Sequence, residues 1–505
     1  MNNAVDRIFH HAEHTPDHVA LRFEDRAWTY AALRDQVVEY AARLEEAGVV
    51  PGDRVLLVAP TGPEFVIAYH GLLCAGAVAV TVNAMSTTSE IEYFVSDAGC
   101  SLVVAWHEDA RAARAAAESL DVPLWVLEPG ELELTSGIAR RVAPARDDDA
   151  VLLYTSGTTG RPKGAQLTHG NLVACAEAVQ ATIHSSSADR IGTALPLFHV
   201  FGQVCVMGAA FHVGASLSLL RPFDGARLLQ MAADHRLTIL SGVPTMWNAM
   251  LHADVEVTRE DVSDLRLATS GGAALPLSVA KAFDDRFGCM VLDGYGLSET
   301  TGAATFNAPA GERREGSVGP PLTGLSVTVV DPSGEELPPG VVGEVAIRGP
   351  VVMKGYWGRP EATAEVMRGD WFLSGDLGRR DEDGYLWIVD RKKDLVIRGG
   401  YNVYPREVEE VLYAHPSIRE VAVIGLPDDH LGEEVAAVVA PHPGVELSAA
   451  EVREWASERL SAYKVPRVYQ LVEELPKGAT GKILKRQIDR GSVRSHGTHV
   501  RRSAV

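Results

Sequence analysis

Residues 150–164 read AVLLYTSGTTGRPKG: a short apolar run, then a loop of glycine, serine, threonine and one lysine. This junction constrains the fold more than any other stretch. The run reads as a buried strand, and a ligand-binding loop at a strand end is where open α/β sheets put their sites. Thr155, Ser156, Thr158 and Thr159 supply hydroxyls, and Lys163 adds a point charge. Gly157, Gly160 and Gly164 allow close backbone approach. Converging N–H groups and hydroxyls suit anionic oxygens, so the natural ligand is a polyphosphate. Spacing excludes two other phosphate loops. Gly157 is followed by Thr-Thr-Gly-Arg-Pro where a Walker loop needs Gly-Lys after four residues, and Gly294-Tyr-Gly-Leu-Ser-Glu ends in Glu299 where a dinucleotide fingerprint needs glycine. A plain Ser/Thr/Gly surface turn is disfavoured by the Pro-Lys-Gly ending and the preceding strand.

Periodicity extends the α/β reading. Residues 31–47 carry Leu33, Val37, Tyr40, Ala41 and Leu44 at helical spacing, 54–59 is an apolar strand, 64–76 a helix and 77–82 a strand. Strand-like runs recur at 191–194, 238–241, 265–269 and 290–293. The alternation predicts parallel sheets flanked by helices. From Leu325 the pattern changes to short strands and turns, which predicts an antiparallel or small barrel-like piece. The charged run Asp390-Arg-Lys-Lys-Asp394 reads as a solvated turn or a boundary. A small α+β unit follows it, with a helix opened by Pro405, strands at 420–425 and 434–439, and a capping box at Ser448…Glu451. The expected division is a large N-terminal region, 1–393, and a mobile C-terminal cap, 394–505, whose tail from about Gly491 is expected to be disordered.

At 505 residues, 46% of them apolar, the chain is large enough for two or more domains. Its net charge of −20 argues against nucleic acid as a general partner and leaves any polyanion to be attracted by local basic groups. Cys74, Cys100, Cys175, Cys205 and Cys289 form no CxxC pair, which fits reduced thiols in a cytoplasmic protein. Met1-Asn-Asn-Ala-Val-Asp is not expected to be a secretory signal, and the apolar run near 72–82 is too short to span a bilayer.

Other clusters are weaker alone. Tyr295-Gly296-Leu297-Ser298-Glu299-Thr300 could stack a base, admit a backbone, contact a phosphate and hold magnesium, although aromatic and Thr clusters are also common in cores. Asp376, in Ser374-Gly375-Asp376, could accept hydrogen bonds from both ribose hydroxyls or serve as a turn carboxylate. His199, in LPLFHVFG, is by default a satisfied core residue, and Lys482, in PKGATGKILK, a solvated one.

These strings, in this order from about Asp6 to Arg490, resemble the adenylate-forming superfamily: acyl-CoA synthetases, beetle luciferases and non-ribosomal peptide adenylation domains. The resemblance implies an α/β N-terminal region with a smaller α+β C-terminal domain, using ATP and Mg2+. It implies that 155–160 and Lys163 bind phosphates, that Tyr295 and Gly296 meet adenine beside Gly272 and Ala273, and that Thr300 contacts the α-phosphate. Glu299 is then the magnesium carboxylate, and Asp376 with Arg391 the ribose pair. Lys482 matches the catalytic lysine and Lys393 the hinge. His199 matches the gate of the acyl site, and Gly399, Gly400 and Tyr401 the thiol tunnel.

No Asp near His199 is placed to pair an amino-acid ammonium, and no Arg in 200–207 or 241–247 to pair a second carboxylate. Phe201, Val204, Val243 and Met246, with Gly271, suggest an apolar acyl pocket. The surroundings resemble bacterial fatty-acyl-CoA ligases, which implies a medium- or long-chain acid, ATP and CoA as partners. The alternatives are a ligase that loads a phosphopantetheinyl acyl carrier protein and a non-catalytic adenylate sensor.

Overall fold

The computed structural model describes residues 3–129, 142–155, 161–312, 314–428, 430–478 and 481–500. Two mixed sheets dominate the first three-fifths of the chain. In the seven-stranded sheet, Asp149–Thr155, Val78–Val82, Arg54–Val58, Leu102–Trp106 and Leu124–Leu127 run parallel, and Lys163–Thr168 and Gly355–Tyr356 close one edge antiparallel. In the eight-stranded sheet the parallel set runs Val291–Tyr295, Leu267–Ser270, Ile239–Gly242, Arg190–Thr193, Ser216–Leu219, Val19–Phe23. Strands covered on both faces read as continuous apolar runs, and Val78–Val82 and Leu102–Trp106 are buried throughout.

The end of helix Pro63–Ala75 and strand Val78–Val82 together account for the apolar run at 72–82. Twelve of the helix's thirteen residues are buried, because it lies in the core shared by both sheets. Gly71 lets it approach helix Tyr30–Glu46: a Cβ there would sit 2.5 Å from the Tyr40 ring. No described helix is long and apolar enough to cross a membrane.

From Ser326 the chain forms an antiparallel sheet of five strands, in which Trp371–Arg380 pairs with both Gly343–Arg348 and Leu386–Arg391. The last sheet is built wholly from residues after 395. Its centre is the long hairpin Ile418–Asp428 and Gly432–Pro441, covered by helices Pro405–Tyr413 and Ala449–Arg459. The Ser448–Glu451 capping box is present.

The tail departs from expectation. Residues after Gly491 are ordered to Val500: Arg490–His496 is a helix, and Thr498–His499 pairs with Val468–Leu471. Asp489 caps the helix by accepting from Gly491 and Ser492 N–H, and Val493 is buried beneath it. One cap and one apolar anchor outweigh the polar composition. Arg501 and Arg502 lie outside the described residues.

Candidate active site

A cavity of about 710 Å3 opens where the C-terminal ends of the parallel strands meet the antiparallel sheet and the C-terminal unit. Register sets its first pair. Asp376 and Arg391 lie directly opposite on neighbouring strands, and Arg391 Nε is 3.1 Å from Asp376 Oδ1. Tyr295, at the end of Val291–Tyr295, donates from its hydroxyl to Asp376 Oδ2 at 2.7 Å. Burial, then the Asp376 charge, raises the Tyr295 pKa well above the ordinary phenol range, so it stays a donor. Gly296 is needed for close approach: a Cβ there would lie 2.3 Å from the Gly302 carbonyl oxygen.

Glu299 sits in a single 3-10 turn and is nearly buried. Its Oε1 accepts from Tyr356 at 2.8 Å and Thr155 at 3.3 Å. Lys163 Nζ lies 5.2 Å from the Tyr356 ring centre. No described cation pairs with Glu299. A buried carboxylate held only by hydroxyls, in a cavity lined by Thr155 and Lys163, fits Mg2+ in its usual mode of one carboxylate plus substrate phosphates.

Lys482 enters from the C-terminal unit. It follows Gly481, whose carbonyl accepts from Thr245 Oγ1 at 3.4 Å. Burial and the Arg391 charge lower its pKa from 10.5 to about 8. Burial also lowers the Lys393 pKa. His199 is held at about 4 by burial and by the Lys482 charge, so it is neutral at pH 7. Its Nδ1 accepts from Phe201 N–H at 3.3 Å, which leaves the proton on Nε2. The C-terminal unit is docked through Arg406 N–H donating to Asp390 and Leu277 N–H donating to Glu410.

Of the residues anticipated from sequence, Thr155, Lys163, His199, Phe201, Val243, Gly271, Gly272, Tyr295, Gly296, Glu299, Asp376, Arg391, Lys393 and Lys482 all line this one cavity. Ser156, Gly157, Thr158, Thr159 and Gly160 lie outside the described residues. Ala273 is beside the lining. Thr300 is fully buried and its hydroxyl bonds to the Leu297 backbone. Gly399, Gly400 and Tyr401 form a hairpin turn off the cavity, with Tyr401 exposed against Tyr463.

Two acyl-pocket expectations need correction. Residues 201–208 form a π-helical segment, and its wider turn presents Phe201, Cys205 and Val206 to the cavity, with Ala209 of the next helix beside them. Val204 faces a separate small cavity beside Tyr69 and Leu172. Met246 turns into the core, where its sulfur accepts from Val243 N–H. Sequence reading also missed Tyr356, Cys205 and Ser185. Tyr356 reaches Glu299 because its strand pairs beside Ala165 and Met353 N–H donates to the Glu299 carbonyl, and nothing local in its sequence marks it.

The AMP-binding enzyme family profile matches residues 8–357, and the AMP-binding enzyme C-terminal domain profile matches 407–482. The chain is 35% identical to a long-chain-fatty-acid–CoA ligase of Bacillus subtilis (strain 168), over 95% of this chain and 93% of that one. It is 40% identical to a feruloyl-CoA synthase of Amycolatopsis sp, over 95% and 97%. Its fold superposes on ATP-bound MatB from Rhodopseudomonas palustris with a TM-score of 0.91 at 34% identity, covering 98% of this chain and 99% of that one. Both family domains and similarity to CoA ligases over nearly the whole chain agree: the chain belongs to the AMP-binding, adenylate-forming enzyme family, as an AMP-forming acyl-CoA ligase.

Proposed function

We propose that the protein activates a medium- or long-chain fatty acid with ATP and Mg2+ and transfers the acyl group to CoA. The observation that carries this reading is a single cavity with Asp376, Arg391, Lys163 and Glu299 at one end and an apolar channel past His199 and Phe201 at the other. In this reading Thr155, residues 156–160 and Lys163 hold phosphates, Tyr295 stacks on adenine beside Gly272 and Ala273, and Asp376 with Arg391 holds the ribose; Thr300, buried and bonded to Leu297, supports the turn that carries Glu299. Glu299 would hold Mg2+, which when bound offsets phosphate charge. None of the five cysteines is in a disulfide, which fits a reducing cytoplasmic setting.

In the first step a carboxylate oxygen bonds to the α-phosphorus as the bond to pyrophosphate breaks. The two reactants are anions. Lys482 places a positive charge between them and stabilises the charge that develops at transfer. Neutral His199 adds no charge to an apolar channel mouth. Residues 394–505 then rotate about Lys393, Lys482 withdraws, and Gly399, Gly400 and Tyr401 admit the pantetheine arm. The thiol sulfur bonds to the acyl carbon, the bond to AMP breaks, and the thiol proton goes to solvent.

A second reading, an aryl-propenoic acid as substrate, is favoured by the 40% identity to feruloyl-CoA synthase. The test is a panel of aliphatic and aryl acids with ATP, Mg2+ and CoA, scored by mass spectrometry for acyl-CoA and AMP. Highest kcat/KM on medium or long aliphatic acids supports the proposal. Highest kcat/KM on aryl acids selects the second reading, and acyl-adenylate discharged only onto a holo carrier protein refutes CoA as acceptor.

A further inference from the structure

The acyl channel is apolar along its walls and polar at its blind end. It starts at the strand ends, where the Phe201 ring lies 3.4 Å from where a Gly271 Cβ would stand. It then descends the face of the eight-stranded sheet, past Ser241 to Ile239 and Ile191, which begin or nearly begin their strands. The opposite wall is Val206 of the π-helical segment, Ala209 just after it, and Val179 and Ile183 of helix His169–Ile183. From Val243 to Ile239 the descent is about 13 Å at roughly 3.3 Å per strand residue. Because helix His169–Ile183 ends where strand Arg190–Thr193 begins, the turn between them closes the channel at its far end.

Ser185 stands in that turn. It is 5% exposed, lines the cavity, and its hydroxyl has no hydrogen-bond partner. Its neighbours are satisfied. Arg266 donates to the Ile183 and His184 carbonyls and pairs with Asp189 at 3.0 Å. Asp189 accepts from Ser186 N–H and Thr238 Oγ1. The turn is thus a hydrogen-bonded plug with one buried hydroxyl left over, on a residue that lines the cavity. Among the described residues, only Ser270 is a second cavity-lining hydroxyl that is buried and unpartnered, and it sits at the mouth, beside Gly271.

An unpaired buried hydroxyl is costly, and a channel meant only for hydrocarbon has no reason to keep one at its end. We propose that Ser185 is a specificity-determining residue that hydrogen-bonds an oxygen at the tail of the acid, so that the preferred substrate is an apolar carboxylic acid ending in a hydroxyl, ether or carbonyl oxygen. The inference rests on the acyl-CoA ligase reading and narrows its substrate class. The same chemistry is met by an ω-oxygenated aliphatic acid and by a ring-hydroxylated aryl-propenoic acid.

The test measures kcat/KM for acyl-CoA formation on two matched pairs: ω-hydroxy against methyl-ended aliphatic acids, and 4-hydroxy against 4-methyl aryl-propenoic acids. The wild-type protein is expected to favour the oxygenated member of one pair by about tenfold or more, the scale of one buried group left unpaired. The pair that does so identifies the source. Ser185→Ala should bring that ratio to about one or below while leaving the KM for ATP unchanged, and Ser270→Ala should change both members alike. Equal or better turnover of the methyl-ended member in both pairs overturns the proposal, as does an unchanged ratio in Ser185→Ala. Turnover of none of the acids would instead refute the ligase reading itself.

Discussion

The pKa of Lys482 makes the first half-reaction a direct test of its role. Burial and the Arg391 guanidinium lower it from 10.5 to about 8, against the opposing pull of Asp376 and Asp394. A lysine lowered in this way is fully charged well below pH 8 and loses its charge as pH rises through that value. If the cation stabilises the transfer, kcat/KM for ATP in acid-dependent pyrophosphate exchange, without CoA, should be flat near pH 7 and fall about tenfold per pH unit above the pKa. That parameter reports the free enzyme, the state to which these contacts belong. His199 is neutral across this range and Tyr295 stays protonated, so neither supplies the falling limb. Lys393, whose pKa is also lowered, is the competing group. Lys482→Arg keeps a charge that does not titrate below about 12 and should abolish the limb, whatever activity it retains. Lys393→Arg should preserve it. A wild-type profile flat to pH 10, or a limb that survives in Lys482→Arg, would refute the assignment.

Four further outcomes follow from the contacts described. Tyr295→Phe removes the donor to Asp376 but keeps the ring, so the KM for ATP should rise by about tenfold or more, on the 1.5–3 kcal/mol scale of hydrogen bonds to charged groups; an unchanged KM would separate Tyr295 from ribose binding. Gly296→Ala drives a Cβ to 2.3 Å from the Gly302 carbonyl oxygen, and the urea midpoint should drop by the equivalent of about 1–3 kcal/mol. His70 and His169 are buried and held near pKa 4 by desolvation, against an ordinary 6.5. The unfolded chain therefore binds more protons between those values, stability is lost as pH falls from about 6.5 towards 4, and His70→Gln should flatten that slope in denaturation series. Within an aliphatic acid series, each added methylene should raise kcat/KM by about fourfold, from roughly 0.8 kcal/mol per buried CH2, until the channel is full; a flat series would argue against an apolar channel.

The sequence strings around Tyr295–Glu299, Asp376 and Lys482 are local, each a few residues long, and these residues line one cavity. Strand runs buried on both faces announced themselves, as at 77–82, observed as Val78–Val82. What failed was orientation. Val204 and Met246 were reasonable acyl-pocket residues by type, but the π-helical segment and the turn into helix Pro244–Leu251 pointed them elsewhere. The tail departed from expectation for a similar reason, since Val493 joins an apolar cluster with Ala422, Ile424, Ala436, Val438 and Val468, far earlier in the chain.

Composition, periodicity and short motifs are properties of neighbours along the chain, and they sufficed for the fold class and the nucleotide chemistry. Register and packing are properties of residues far apart, and they decided the rest. Strand pairing sets Asp376 beside Arg391, and the same kind of pairing helps bring Tyr356 to Glu299. Docking of the C-terminal unit carries Lys482 into the cavity lined by His199. Ser185 is one polar residue in a polar turn until a helix end, two strand starts and a π-helical wall enclose it. Only that enclosure removes water from its hydroxyl, and the loss of water is what turns an ordinary serine into a group in need of a partner.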